Sequence, residues 1–153
     1  TDEIFLPAAI CVFPNWIFTL KESCYTLPIE FACVVGGFPS GQTFTQVKML
    51  ETHASLEKGA TEIDMVINRG LFLSRKLEDC ALEIKLLKDI TGNKKLKVII
   101  ESGELSTEQN IHGAAVLALH VVADFIKTST GKSNPNNDKC HSLRFSLNNQ
   151  IFD

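Results

Sequence analysis

Glu62-Ile63-Asp64-Met65-Val66-Ile67 is the stretch whose reading decides the fold. A strand with one wet face alternates apolar and polar residues, whereas a strand covered on both faces reads as a nearly continuous apolar run. This run is of the second kind, interrupted mid-strand by a single aspartate. Four others share the pattern: Leu6 to Phe13, Phe31 to Val35 (ending in Gly36-Gly37), Leu96 to Ile100, and Ala123 to Lys127. Helical stretches separate them. Ile17, Leu20 and Cys24 form a weak first stripe. Thr43-x-x-Gln46 fits a capping box that opens a second helix, running to Gly59 with Val47, Leu50 and Ala54 as its apolar stripe. A third opens near Ser74, carries Leu77, Ala81, Ile84 and Leu87, and stops at Gly92. A fourth opens at Ser106-x-x-Gln109 and carries Ile111, Ala114, Ala115 and Ala118. A strand recurs about every 30 residues, the length of one βαβ unit. Right-handed crossovers then dictate a parallel sheet with helices outside it. Periodicity leaves two closures open: a doubly wound open sheet, or part of a (β/α)8 barrel, which takes ~250 residues when whole.

The chain has 153 residues, 44% of them apolar and 22% charged, with fifteen Lys and Arg against eighteen Asp and Glu. That composition suits one globular domain and argues against disorder. A net charge of −3 argues against a nucleic-acid coat or a membrane-surface protein, which need a basic field. No apolar run approaches the ~20 residues of a membrane helix, and Thr1-Asp2-Glu3 lacks the basic start of a signal peptide. The five cysteines, Cys11, Cys24, Cys33, Cys80 and Cys140, are odd in number and show no C-x-x-C spacing. Neither a disulfide framework nor a zinc site is expected, and a reducing cytoplasm fits better. The histidines show no metal-ligand spacing.

In parallel α/β proteins reactive groups sit at the carboxyl ends of strands and in the following loops. Lys127 is the sharpest such feature. It ends the strand Asp124-Phe125-Ile126-Lys127, where burial and a neighbouring cation such as Lys97 would push a lysine down towards neutral pH and free its amine to attack carbonyls. The plain alternative is a lysine that ends a strand and snorkels to water. Asp64 needs a cation or donors around it and suits proton transfer; its plain alternative is a structural ion pair. Thr130-Gly131-Lys132 offers close backbone approach and a point charge to a phosphate. A nucleotide P-loop is rejected, because position 126, where its first glycine belongs, is Ile126. Gly36 to Gly41 does not match G-x-G-x-x-G and reads as a turn before a helix. His53, His112 and His120 read as surface or structural residues, and Trp16 as packing.

Taken in series, several blocks resemble deoxyribose-phosphate aldolases: Ala8-Ala9-Ile10-Cys11-Val12-Phe13-Pro14, Val35 through Thr43, Gly59 through Arg69, Leu96 through Leu105, and Asp124-Phe125-Ile126-Lys127-Thr128-Ser129-Thr130-Gly131-Lys132. The last block is the most specific. The resemblance covers about residues 6 to 132. It implies a class I aldolase on a (β/α)8 barrel, needing no metal or other cofactor, acting on 2-deoxy-D-ribose 5-phosphate to release acetaldehyde and D-glyceraldehyde 3-phosphate. It implies Lys127 as the Schiff-base lysine, Asp64 as a proton-relay aspartate, and Lys97 as a further lysine supporting that relay. It implies Thr130, Gly131 and Lys132 in phosphate binding, and Cys11 near the substrate without nucleophilic duty.

The departures shape the expectation as much. The family pattern has a strand before the first one here, and after Lys132 it continues into a Lys-Pro-x-Gly-Gly strand and another that completes the phosphate site. This sequence shows Ser133-Asn134-Pro135-Asn136-Asn137-Asp138 instead. His120-Val121-Val122 also replaces the usual glycine-containing helix end. The expected architecture is therefore an incomplete barrel with about five of its eight parallel strands, residues 1–132 forming the partial aldolase domain and 133–153 a divergent Asn-rich tail. A homo-oligomer is a further expectation, and the alternative to an active enzyme is a catalytically silent remnant that associates with a partner or a full-length relative.

Overall fold

The five apolar runs become five parallel strands: β1 (Ala9–Val12), β2 (Glu30–Val35), β3 (Glu62–Val66), β4 (Lys95–Ile99) and β5 (Phe125–Lys127). The computed structural model describes residues 5–133 and two short antiparallel strands, β6 (Arg144–Phe145) and β7 (Ile151–Phe152); the Asn-rich stretch after Ser133 lies outside the described residues. The main sheet runs β1-β2-β3-β4-β5 in chain order. A doubly wound sheet reverses its strand order at a switch point. No reversal occurs here, so the topology is that of consecutive barrel units, and the choice left open by periodicity is resolved as a partial barrel.

Alternate strand residues face opposite sides of the sheet. Cys33, Val35, Ile63, Met65, Leu96 and Val98 face the helices and join one continuous apolar core. The helices are α1 (Ile17–Cys24), α2 (Thr45–Glu57), a short α3 (Arg69–Leu73), α4 (Leu77–Thr91) and α5 (Glu108–His120). Ile84 and Leu87 of α4 and Ile111, Ala114, Ala115 and Ala118 of α5 fill that core, as their spacing predicts. Each large aliphatic side chain so buried contributes roughly 1.5–3 kcal/mol. Leu77 and Ala81 contribute less, being exposed and half-buried. Helix α3 has no apolar period to announce it; Asn68 caps it by accepting the N–H of Leu71. Gly92, in the left-handed region at φ +60°, ends α4.

Three local expectations are corrected. Helix α2 has no capping box, since its N-cap is Phe44 and no side chain caps the end. Its expected stripe faces outward: Val47 is 47% and Leu50 69% exposed, while Lys48, Thr52 and Ser55 are buried. These polar groups are tolerated inside because each finds a partner. The hydroxyls of Thr52 and Ser55 donate to the carbonyls of Lys48 and Glu51, and the Lys48 ammonium donates to the Gly41 carbonyl and to Glu83. Helix α5 is capped one residue later than Ser106, by Thr107, which accepts the Asn110 N–H at 3.1 Å. Ser106 sits at φ +64° and lacks the extended backbone an N-cap adopts.

The loop after β2 needs its glycine. Gly41 lies at φ +72°, and a Cβ there would stand 2.4 Å from the carbonyl oxygen of Ile67. That close approach brings the loop across the end of β3. Among the described residues no helix is long and apolar enough to cross a membrane.

Candidate active site

The register assembles the site. Val34 pairs with Asp64, Asp64 with Lys97, and Ile99 with Lys127. On the face turned away from the helices, Lys127 Nζ lies 2.6 Å from Asp64 Oδ2. Asp64 is 1% exposed and Lys127 36%, so the amine can be reached from solution while the carboxylate behind it cannot. Lys97 Nζ lies 3.7 Å from Asp64 Oδ1, and that oxygen is buried without a hydrogen-bond partner. A buried carboxylate oxygen left short of a donor is costly, and such sites recur where a group must exchange protons.

Lys97 also forms a close ion pair with Glu62, which Lys95 contacts at 3.4 Å. Burial works against charge on Lys97, but the hydrogen bond to Glu62 and the charges of Asp64 and Glu62 outweigh it and hold the amine above its ordinary range. Lys97 is thus a fixed cation behind the Lys127–Asp64 pair. Cys11, on β1, points its thiol at Asp64 Oδ2 from 3.5 Å. Partial burial of the thiol, then the charge of Asp64, push it up to about 12, against an opposing pull from Lys127 and Lys97. A thiol so held is a poor nucleophile.

Lys127 opens into a cavity of about 250 Å³ lined by Cys11, Phe38, Ile99, Thr130 and Lys132 among others. Phe38 is held edge-on to Phe13, ring centroids 5.5 Å apart. The 128–132 loop forms one wall. Its Thr130 hydroxyl accepts the Lys132 N–H at 3.1 Å, and Gly131 turns the chain at φ +73°. A smaller cavity of about 160 Å³ adjoins it, between Ser40, Arg69, Glu101, Glu104, Thr130 and Lys132.

Lys127, Asp64, Lys97 and Cys11 are therefore brought into one cluster, and Thr130 and Lys132 reach its mouth. Gly131 belongs to the same loop but lines neither cavity. His53, His112 and His120 are exposed on helices. Trp16 is corrected: it is 57% exposed, on a 3-10 turn (Pro14–Trp16) none of whose residues is buried. Sequence reasoning missed Glu62, although its i, i+2 spacing to Asp64 puts both carboxylates on one face of β3. It also passed over Glu101 as the acceptor of the Thr130 N–H, and Arg69 as the cation beside Glu101.

The model of the DeoC/LacD family aldolases matches residues 8–147. Human deoxyribose-phosphate aldolase is 40% identical over 139 residues, covering 88% of this chain and 43% of that protein. The solved structure of the aldolase QR15 superposes with a TM-score of 0.77 at 33% identity, over 82% of this chain and 55% of that one. A tetrameric deoxyribose phosphate aldolase from Aeropyrum pernix superposes with a TM-score of 0.67 at 29% identity, over 81% of this chain and 51% of that one. This chain spans about half the length of the relatives it matches. With the family's model running through all five strands and the loop after Lys127, the chain belongs to the DeoC/LacD aldolase family.

Proposed function

We propose that the chain carries the Schiff-base half of a deoxyribose-phosphate aldolase site, cleaving 2-deoxy-D-ribose 5-phosphate to acetaldehyde and D-glyceraldehyde 3-phosphate. The observation that carries the reading is the 2.6 Å contact between Lys127 Nζ, open to the cavity, and the enclosed Asp64 Oδ2. Asp64 is the acceptor at hand when Lys127 gives up its proton. The free amine attacks the C1 carbonyl of the open-chain sugar, and loss of water gives an imine. Protonated, the imine draws in the C2–C3 bonding electrons as a base removes the C3 hydroxyl proton. C3 becomes the aldehyde of the phosphorylated product, and C1–C2 remain on Lys127 as an enamine. Protonation at C2 and hydrolysis release acetaldehyde and restore the amine. Asp64, through a water, is the proton carrier in these steps, and Lys97 holds it in place. Thr130, Gly131 and Lys132 receive the phosphoryl end, and Cys11 packs near the sugar.

Incubation with acetaldehyde and borohydride, followed by peptide mapping, tests the reading. A reduced ethyl adduct on Lys127 that is lost in Lys127→Met supports it; adduct spread evenly over surface lysines sinks it. A second reading has its own support. Among the described residues β1 and β5 each pair on one side only, and unpaired edges invite association. In that reading the chain is catalytically silent and acts by joining a second copy or another partner, and an unmodified Lys127 in an otherwise folded protein decides for it.

A further inference from the structure

Glu101, two residues after the end of β4, joins loops from four strands. Its two carboxylate oxygens accept the Thr130 N–H at 3.3 and 3.2 Å. Its Oε2 lies 3.7 Å from Arg69 Nη1, which also pairs with Glu104 at 3.1 Å. The other arm of the Arg69 guanidinium donates to the Ser40 carbonyl at 2.9 Å. Loops following β2, β3, β4 and β5 thus meet at one ion pair. Glu101 is 2% exposed and its backbone stands in the left-handed region at φ +51°, which a glutamate adopts only where its surroundings require it.

This arrangement looks wrong for an anion site, since a carboxylate sits directly behind a loop expected to take a phosphate. The contacts reconcile the two. The carboxylate accepts a main-chain N–H and shares the Arg69 guanidinium with Glu104, so its charge is partly compensated, while the Thr130 amide it holds sets the direction of the next two residues. We infer that Glu101 is a positioning residue. It fixes Thr130 so that Gly131 and Lys132 are presented, already ordered, to the phosphoryl end of the substrate, and Arg69 offsets part of the charge that would otherwise repel it. The inference rests on the reading of 130–132 as the phosphate side of the site.

The test is a titration of the whole chain with inorganic phosphate, followed through the amide NMR signals of Gly131 and Lys132, beside borohydride trapping of acetaldehyde on Lys127. Phosphate should shift both amides saturably. Glu101→Ala should weaken that binding at least tenfold while the acetaldehyde adduct stays within threefold. Glu101→Gln, which keeps an oxygen for the Thr130 N–H, should restore binding to within threefold. Unchanged phosphate binding in Glu101→Ala, equal loss in both variants, loss of the adduct together with phosphate binding in Glu101→Ala, or parent amides indifferent to phosphate would each overturn the inference. A parent that binds phosphate but forms no adduct sinks the catalytic reading and leaves the positioning role standing.

Discussion

Replacing Lys48 by Met should cost this fold more than any comparable change on a helix surface. Lys48 is fully buried between α2 and α4, with its ammonium 2.7 Å from Glu83 and 2.7 Å from the Gly41 carbonyl. Glu83 is 2% exposed and keeps only the Thr45 hydroxyl, at 3.1 Å, when the lysine is gone. Breaking a buried pair from one side leaves an uncompensated charge, at about 3–5 kcal/mol, against a total stability of roughly 5–15 kcal/mol for a domain. Near this size each kcal/mol moves Tm by about 2–4 °C, so the single variant should melt on the order of 10 °C lower or fail to fold. Glu83→Met alone should cost about as much. The double variant removes both charges and leaves the Gly41 carbonyl and Thr45 hydroxyl short of partners, a loss of about 1–3 kcal/mol. Urea unfolding followed by circular dichroism measures all four corners of the cycle, with Tm standing in for any variant too weak for urea. A coupling of several kcal/mol between the two sites is expected. Additive single effects would refute the reasoning, because they would mean that neither charge depends on the other for its burial.

Two further outcomes follow from local geometry. With the Cys11 thiol pushed up to about 12, its thiolate at pH 8.5 is scarcer than in an ordinary cysteine by about a thousandfold, so iodoacetamide labelling should be slow and still rising with pH beyond 10; Asp64→Asn removes two of the causes that raise it and should speed labelling at fixed pH, and a labelling rate that levels off by pH 9 would contradict the assignment. Val122, exposed and β-branched at φ +69°, occupies a left-handed position just after α5, so Val122→Gly should stabilise the chain by about 0.5–1 kcal/mol and raise Tm by roughly 2 °C, whereas a lower Tm would show that this backbone is not strained.

Strand existence was legible because a strand buried on both faces has few acceptable compositions, and all five runs have one; their order in the sheet was not, since composition does not say which strands are neighbours. Helices α4 and α5 were legible for the related reason that their buried faces are apolar. Helix α2 was not, because a face can be buried by hydrogen bonding as well as by hydrophobicity. Lys48, Thr52 and Ser55 look like a solvated side until their partners are known, and those partners lie on α4, on the Gly41 turn and one helical turn back in α2 itself. The capping box at Thr43 failed on backbone conformation, which the side-chain pattern does not report. In the site, Lys127 and Asp64 stood out singly. Their contact spans 63 positions and depends on the stagger of three strands, a quantity no local pattern contains.

The charge balance on the sheet's inner face bears on what the site can hold. Lys95, Lys97 and Lys127 face Glu62 and Asp64, so three ammonium groups meet two carboxylates and one positive charge is left over. The surplus belongs to no single pair. Glu62 is shared by Lys95 and Lys97, Asp64 by Lys97 and Lys127, and one Asp64 oxygen has no hydrogen-bond donor of its own. A shared carboxylate can release one cation without being left alone, which is what a lysine must have if it is to lose its proton, bond to carbon and later return. Lys132 adds a second positive charge at the mouth, and Arg69, shared by Glu101 and Glu104, offsets one of those two carboxylates, so the face as a whole keeps one positive charge. The chain as a whole carries −3, yet this one concave face is positive. A small dianion is drawn to such a place from an otherwise repelling surface, and the attraction is strongest at low ionic strength. In the reading proposed above, Lys132 is the cation that meets the phosphoryl end at the 130–132 loop, and the aldehyde meets Lys127.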